Sequence, residues 1–124
     1  MGCFINFTNH RLSVWSAEQV RQAREYGEII DMPFPSISPC MSDEELLSLA
    51  ESCTEQIVSY EPSCVLCQGE SVFATLMVTM LMKRNIPVAA AASTRKVTET
   101  VTEDGKTIKN AVFEFECFRQ YIIV

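Results

Sequence analysis

The chain has 124 residues, of which 48% are hydrophobic and 21% charged, so it can bury one core and is close to the commonest domain size. A single domain over residues 1–124 is therefore expected. The net charge of −6 argues against non-specific binding of duplex nucleic acid, which requires many Lys and Arg contacts to phosphate. This charge is compatible with one small anionic ligand held by a local basic cluster.

No apolar stretch approaches the roughly 20 residues of a membrane span. The longest apolar run, 72–82, contains Thr75 and Thr79 and is too short. The amino terminus lacks the basic region and the long apolar core of a signal peptide. We therefore expect a cytoplasmic protein with no membrane partner.

Six cysteines are present, and four of them lie in apolar, strand-like segments: Cys3, Cys64, Cys67 and Cys117. Free cysteine in such segments behaves as a small hydrophobe, so reduced core residues are expected. Cys64 and Cys67 have the spacing of redox or zinc motifs, but residues three apart on a strand point to opposite faces. With no second Cys/His pair to complete a metal site, neither a metal nor another cofactor is predicted.

Strand and helix patterns alternate along most of the chain. The predicted elements are strand 3–7, helix 16–26, strand 28–32, helix 42–60, strand 63–67, helix 70–84 and strand 86–92. Capping-box sequences, Ser16-Ala-Glu-Gln19 and Ser42-Asp-Glu-Glu45, mark the starts of the first two helices. The continuous apolar run at 63–67 is typical of a strand buried on both faces of a parallel sheet.

The pattern then changes from helical to alternating. Val97–Thr102 and Thr107–Tyr121 flank Asp104-Gly105, a strong signal for a two-residue hairpin turn. On the last strand the row expected to face the core is Ala111, Phe113, Phe115 and Cys117, with Glu114 and Glu116 facing water. The order of elements predicts an α/β fold, a Rossmann-like three-layer sandwich with a mainly parallel sheet and a C-terminal β-hairpin.

Helix 70–84 is apolar on nearly every side, so something besides its own sheet must cover it. For a domain of this size the simplest cover is a second subunit, which makes a homodimer the expected assembly. The alternative is a central helix wedged between the sheet and neighbouring helices.

Polar clusters follow the four predicted parallel strands, at the edge where such sheets bind ligands. The clusters are Thr8-Asn9-His10-Arg11, Pro33-Phe34-Pro35-Ser36, Gln68-Gly69-Glu70-Ser71 and Ser93-Thr94-Arg95-Lys96. The sequence contains neither a Walker motif nor G-x-G-x-x-G, which argues against a nucleoside triphosphatase or a dinucleotide oxidoreductase.

The cluster at 93–96 is the strongest candidate for phosphate contact, because it offers hydroxyls, a guanidinium and an ammonium group. The alternative is that it only begins the hairpin, with its charges in water. At 68–71, Gly69 would let a ligand approach the backbone of a helix N-terminus. Glu70 or Ser71 would equally well serve as the cap of that helix.

His10 is the only histidine, and it is expected at the ligand edge. It is a candidate for ligand contact or catalysis, or it is simply a hydrogen-bonding loop residue. With Thr8 and Asn9 it could contact a base or a ribose hydroxyl. Trp15 and Phe34 are candidates for stacking on a base, and anchoring of their loops is at least as good an interpretation.

The opening segment Phe4-Ile-Asn-Phe-Thr-Asn-His10, with Leu12, Ser16 and Gln19, is similar to that of small stand-alone CRISPR-associated proteins. Their first strand and loop read roughly N-F-S-H-x-L-T-x-x-Q, and their fold is the CRISPR-associated Rossmann fold, CARF. The similar segment covers only a small part of this chain. It differs by the insertion of Asn9 before His10 and of three residues between Leu12 and Ser16.

The resemblance implies a homodimer that binds cyclic oligoadenylate, the second messenger of type III CRISPR defence, across its two-fold axis. In some relatives a ribose 2′-hydroxyl attacks the adjacent phosphorus, which makes the protein a metal-independent ring nuclease. Carried over to the first and last clusters, it assigns catalysis to His10, Ser93 and Arg95, and ligand contacts to Thr8, Asn9, Thr94 and Lys96. The turn after the third strand adds Gln68, Gly69 and Glu70 as ligand contacts on the floor of the same site.

Two other functions fit the same sequence. One is a non-catalytic sensor or sponge that binds cyclic oligoadenylate, or another small anionic nucleotide, without cleaving it. The other is a small α/β interaction module whose apolar surface docks a larger protein. Convergence of the polar clusters in the folded chain would favour ligand binding over the interaction module.

Overall fold

Strands and helices alternate up to the third helix in a computed structural model, which describes residues 2–124 and leaves Met1 outside. The strands are β1 (Cys3–Phe7), β2 (Glu28–Asp31), β3 (Cys64–Cys67), β4 (Val88–Val101) and β5 (Thr107–Gln120). The helices are α1 (Ala17–Arg24), α2 (Asp43–Ser59) and α3 (Ser71–Lys83), with a short 3₁₀ turn at Leu12–Val14.

The strands form one five-stranded sheet in the order β2-β1-β3-β4-β5. The first four are parallel, and β5 pairs antiparallel with β4. In the centre of the sheet, Ile5 of β1 pairs with Ile30 on one side and Val65 on the other. The prediction of an α/β protein with a mainly parallel sheet and a terminal hairpin is confirmed.

Apolar residues pack on both faces of this sheet, because successive side chains of a strand point in opposite directions. Phe4 lies with Leu66 and Ala23 in a cluster on the α1 side. Ile5 and Phe7 lie in the larger cluster that includes residues of α2 and α3. The central strands are therefore fully buried, as the continuous apolar run at 63–67 predicted.

The two capping boxes differ in the folded chain. The Ser42 hydroxyl accepts from the backbone N–H of Glu45, and the Glu45 carboxylate accepts from the backbone N–H of Ser42, so this box is complete. Ser16 accepts from the backbone N–H of Gln19, and among residues 2–124 no reciprocal bond from the Gln19 side chain accompanies it. The amide of Gln19 is thereby free for another role.

Helix α3 is packed mostly by its own chain. Phe73, Met77 and Leu81 are completely buried, and α2 packs beside the helix on the same face of the sheet, where Thr54 contacts Met77. Val72, which is 58% exposed, is the one apolar residue of α3 in the exposed class. Most of α3 therefore fits the alternative of a helix wedged between the sheet and a neighbouring helix. The apolar sequence of α3 does not by itself require a second subunit.

Strand β4 is longer than predicted. The predicted strand 86–92 and the first hairpin strand are one continuous strand, Val88–Val101, so Ser93–Lys96 lies inside a strand and not in a loop. No Gly or Pro interrupts 88–101, and β5 supplies a ladder partner along its length. The paired segment 93–116 extends beyond β3, which pairs with β4 only as far as Ala89. We call this segment the arm.

A β-bulge changes the facing of residues in β5. Ala92 pairs with Cys117 and Ser93 with Phe115, so Glu116 is the extra residue. Because a bulge shifts the alternation by one, Phe118 packs on Phe115, while Cys117 is exposed. The prediction of Cys117 as a core residue is wrong. Phe113 is also exposed, as are all residues of β5 from 107 to 114.

The other cysteines of the strands behave as predicted. Cys3, Cys64 and Cys67 are buried, and all six cysteines are free thiols. Burial raises the pKa of the Cys64 thiol to about 11 and that of Cys67 to about 12, which leaves both protonated and unreactive at neutral pH. They belong to different core clusters, which confirms that they point to opposite faces.

Among residues 2–124, no three His, Cys, Asp or Glu side chains lie close enough together to hold a metal ion. Nor does any helix in this range combine the length and the apolar character needed to cross a membrane.

Candidate ligand-binding cavity

The sheet order creates a crevice between the ends of β1 and β3. The chain leaves β1 towards β2 on one side and leaves β3 towards β4 on the other, so the two following loops diverge. This is the topological switch point at which open α/β sheets bind ligands. A cavity of about 490 Å³ lies there, lined by Thr8, His10, Val14, Trp15, Gln19, Leu66, Gln68, Ala91, Ser93 and Phe113. We call it the switch cavity.

A buried asparagine shapes the loop after β1. Asn6, which is 1% exposed, donates from Nδ2 to Asp31 Oδ1 and to the carbonyl oxygen of His10, both at 2.8 Å. Its Oδ1 accepts from the Thr8 hydroxyl at 2.8 Å. Asp31 also accepts from the backbone N–H of Leu12. This network holds the loop against the end of β1 and fixes the position of the His10 backbone.

Sequence reasoning did not single out Asn6 or Asp31. The available signal is that Asn6 is the one polar residue in the apolar run Cys3–Phe7, and such a residue must find hydrogen-bond partners when buried. Its partner Asp31 is 25 residues away, so only the pairing of β1 with β2 brings them together.

The three residues predicted on this loop have different positions. Thr8 is buried, and its hydroxyl accepts from the backbone N–H of His10 at 3.1 Å. The side chain of His10 is exposed and lines the switch cavity. Asn9 is exposed and lines a separate cavity beside Asp31 and Pro33, so it is not brought to the same site.

The two candidate stacking residues also differ. Trp15 lines the switch cavity, donates from Nε1 to the carbonyl oxygen of His10 at 2.9 Å, and contacts Phe4 edge-on at 6.2 Å between ring centroids. Its ring is therefore held in place beside the cavity. Phe34 is buried against Phe7 and Phe73, so it anchors its loop and has no face free for a ligand.

Gln68 lies where β4 separates from β3. Its Oε1 accepts from the backbone N–H of Ala91 at 3.0 Å, which supplies a partner to β4 beyond its pairing with β3. No hydrogen bond from its Nε2 to another residue of 2–124 is present, so two donors remain for a ligand. Gln68 is half-buried and lines the switch cavity.

The rest of the 68–71 cluster has a structural role. A Cβ on Gly69 would lie 2.4 Å from the ring of Phe34, so this glycine makes room for a side chain of the core. The Glu70 carboxylate accepts from the backbone N–H groups of Val72 and Phe73 at 2.9 and 3.1 Å. The N-terminus of α3 is thus capped by its own chain, which leaves no place for an anion.

Strand alternation divides the 93–96 cluster between two faces. Ser93 lines the switch cavity, and Arg95 follows on the same face, paired across the strands with Phe113. On the opposite face, Thr94 donates to Glu116 at 2.9 Å and Lys96 donates to Glu114 at 2.7 Å. Glu114 also raises the pKa of Lys96.

The structure therefore brings together part of the predicted site. Thr8, His10, Gln68 and Ser93 meet at the switch cavity. The predicted residues that do not line this cavity are Asn9, Gly69, Glu70, Thr94, Arg95 and Lys96. Arg95 lies next to Ser93 on the same strand face and pairs with Phe113 of the cavity wall. Gln19 and Phe113 line the cavity and were not predicted as site residues, and no acidic side chain lines it.

A second cavity, of about 570 Å³, lies along α3 beside the C-terminal residues. Its wall includes Ser71, Thr75, Val78, Tyr121 and Ile122, and no residue of the wall carries a charge. Because Glu70 occupies the adjacent helix N-terminus, this cavity offers an anion only neutral donors, among them Gln68, which lines both cavities. The switch cavity is the better candidate for the functional site.

These features define an α/β protein with a ligand-sized cavity at the switch point of a mostly parallel sheet. Residues 2–119 match the model of the family described as "Uncharacterized protein MJ1673 family". The chain belongs to this family. Searches of curated proteins and of solved structures found no match.

Proposed function

We propose that the protein binds a small anionic nucleotide in the switch cavity, and that the ligand is cyclic oligoadenylate. The observation that carries the proposal is the composition of the cavity wall, which combines two aromatic rings, two side-chain amides and hydroxyls without any acid, while the cation Arg95 follows Ser93 on the same strand face. A nucleotide presents the matching groups, namely a flat base, ribose hydroxyls and a phosphate.

Each part of the wall corresponds to one part of such a ligand. Trp15 and Phe113 offer aromatic surfaces for an adenine, and base stacking is worth about 1–3 kcal/mol per base. Gln19 and Gln68 offer amides to the edge of the base or to the ribose. Arg95 offers a planar guanidinium, which binds phosphate through two parallel hydrogen bonds.

We also propose that the fold is a Rossmann-like three-layer sandwich of the CARF type. Its support is the pair of core clusters on opposite faces of the sheet, one with α1 and one with α2 and α3. The segment that resembles CARF proteins contains Asn6, Thr8 and His10, which shape the loop beside the cavity.

Cleavage of the ring is the catalytic form of this proposal. The 2′-hydroxyl oxygen would bond to the adjacent phosphorus while the bond to the 5′-oxygen breaks, leaving a 2′,3′-cyclic phosphate. The 2′-hydroxyl loses a proton and the 5′-oxygen gains one, and His10 is the group at the cavity suited to this transfer. Arg95 would stabilise the negative charge on the phosphorus centre, and Ser93 would orient the ribose.

Binding is tested with cyclic tri-, tetra- and hexa-adenylate by calorimetry. Arg95→Ala is expected to weaken binding at least about tenfold, since it removes a charged hydrogen bond to phosphate. The matched control is Lys96→Ala, which makes the same change of charge one residue away on the opposite face and is expected to bind as the wild type does. Failure to bind any of the three rings would overturn the proposal.

Analysis of the products then separates an enzyme from a sensor or sponge. A ring nuclease yields linear products with 2′,3′-cyclic phosphate ends, and His10→Ala should bind the ring but cleave it at least about a hundredfold more slowly, within the range typical of general acid–base catalysis. Wild-type binding without any product would overturn the catalytic form and support the sensor or sponge.

A further inference from the structure

The arm carries an apolar face that no part of its own chain covers. Cross-strand pairing places Val97 opposite Ala111 and Val101 opposite Thr107, on the same face as Phe113 and the switch cavity. Val97, Val101 and Phe113 are 51%, 70% and 68% exposed. We call this surface the inner face of the arm. The outer face is more polar, with the bonds of Thr94 and Lys96 to glutamates, although it also exposes Ile108 and Val112.

A two-stranded ribbon is marginally stable by itself in water, so an arm of this length gains from packing against a further surface. Its charge allows a second copy to supply that surface. Residues 93–116 contain four basic and five acidic side chains, whereas the whole chain carries a net charge of −6. Two copies would therefore meet with least repulsion at their arms.

We propose that two copies of the chain dimerise by packing the inner faces of their arms in opposite directions around a two-fold axis at Val97 and Ala111. Arg95 and Glu99 lie on the inner face at equal distances from Val97. The axis therefore places Arg95 of each copy against Glu99 of the partner subunit, so the interface contains this ion pair twice. Within residues 2–124, Arg95 makes no ion pair, and Glu99 pairs with Lys109 at 3.5 Å.

The opposite direction of the arms follows from the position of α1. This helix covers the same face of the sheet next to the arm, where Gln22 donates to the carbonyl oxygen of Glu116 at 2.9 Å. Facing sheets lie about 10 Å apart, and each helix is about 10 Å thick. Arms packed in the same direction would force two α1 helices into one gap, whereas opposite arms place the two bodies at opposite ends.

This arrangement changes the site. Val101 of each arm faces Ser93 of the partner subunit, so each copy contributes a residue to the mouth of the other's switch cavity. Ser93 and Val101 are eight residues apart, which separates the two cavities by roughly 26 Å along the strands. The dimer is expected to form without a ligand. In this dimer each chain binds its own ligand, and no ligand is shared on the axis. This stoichiometry rests on the proposed function.

The oligomeric state is tested by light scattering on the full chain without ligand. The wild type is expected at twice the chain mass, and Val97→Glu, which places two carboxylates at the axis, at the chain mass. The matched control is Thr98→Glu, the adjacent residue on the outer face, which should remain dimeric. A monomeric wild type, or a dimer that survives Val97→Glu, would overturn the inference.

A charge-reversal mixture tests the pairing itself and does not depend on any one variant being stable. Arg95→Glu and Glu99→Arg should each weaken the dimer at least about tenfold, since each creates like-charge contacts in its own homodimer. An equimolar mixture should restore it as a heterodimer, because both ion pairs then form. A mixture that remains monomeric while each variant keeps the far-ultraviolet circular dichroism of the wild type would contradict the pairing.

Ligand stoichiometry separates the two proposals. One cyclic oligoadenylate for each chain supports the arm arrangement, and one for each dimer overturns it while the proposed function stands. No binding by a protein that is dimeric as described overturns the proposed function alone. Val97→Glu keeps Arg95 but loses the dimer, so ligand binding by this variant distinguishes the phosphate contact of Arg95 from its ion pair with the partner.

Discussion

At the scale of single residues, a side chain near a ligand site is often explained by its neighbours in the core. Gly69 lies in a turn where a glycine would suit the approach of a phosphate, yet the ring of Phe34 occupies the space that its Cβ would need. Thr8 and Trp15 both line the cavity, and both also hold the backbone of His10. The residues left with free polar groups are His10, Gln68 and Arg95.

Gly69→Ala is expected to destabilise the protein by about 1–3 kcal/mol, because the added methyl overlaps a ring that is itself packed in the core. Chemical denaturation measures the change. In a Phe34→Leu background the cost of Gly69→Ala should fall below about 1 kcal/mol, since the smaller side chain removes the overlap. An equal cost in both backgrounds would show that Phe34 is not the reason for the glycine.

At the scale of elements, the helix ends follow their capping residues. Both capping serines were predicted correctly. Ser42 makes both hydrogen bonds of its capping box, whereas Ser16 makes only the bond from the Gln19 backbone N–H to its side chain. The third helix was predicted to have either Glu70 or Ser71 as its cap, and the structure selects Glu70. The same carboxylate neutralises the helix end that would otherwise attract an anion.

Glu70→Ala is expected to lower the free energy of unfolding by about 1 kcal/mol, because two backbone N–H groups at the start of α3 lose their acceptor. Thermal and urea denaturation give this value. Ser71→Ala, the neighbouring change, should stay within about 0.5 kcal/mol of the wild type, as its hydroxyl takes no part in the cap. A larger loss with Ser71→Ala than with Glu70→Ala would reverse the assignment.

The longest element was the least accurately predicted. The apolar run before Ser93–Lys96 and the alternating pattern after it were interpreted as two strands separated by a polar loop, but β4 continues through all of them. Polar residues do not stop a strand when a neighbouring strand satisfies its backbone and both faces reach water. The bulge at Glu116 was not predicted either, since no Gly or unusual residue marks it.

At the scale of the whole molecule, a buried body and an exposed arm are expected to differ in stability. Strands β1 and β3 lie in the centre of the sheet with both faces buried, while the residues of the arm at 93–101 and 107–114 are all exposed. Local opening of such an arm requires less free energy than opening of the central strands.

Hydrogen exchange measures this difference and its dependence on association. Amides of β1 and β3 should exchange slowest at every protein concentration, since they open only with global unfolding. Amides of the arm should exchange fast in dilute protein and more slowly as the concentration rises and the dimer covers them. Protection of the arm that is independent of concentration would argue against the dimer.

The sequence by itself determined the features that depend on neighbouring residues. These are the order of the elements, the capping serines, the location of the hairpin and the burial of the central strands, because hydrogen bonds and alternation within a few residues encode them. The predicted two-residue turn at Asp104-Gly105 is wrong, since residues 102–106 join the strands and only Gly105 of that pair has a positive φ. The sequence also placed His10, Gln68 and Ser93 near one edge of the sheet, since parallel strands end together.

Only the tertiary structure decided which polar groups remain free for a ligand. Asn6 reaches Asp31, Gly69 meets Phe34, and Lys96 meets Glu114 through contacts between segments far apart in sequence. It also decided that α2 packs beside α3 while most of the arm remains exposed. These contacts depend on how whole helices and strands pack together, and no local sequence pattern predicts which surfaces will meet.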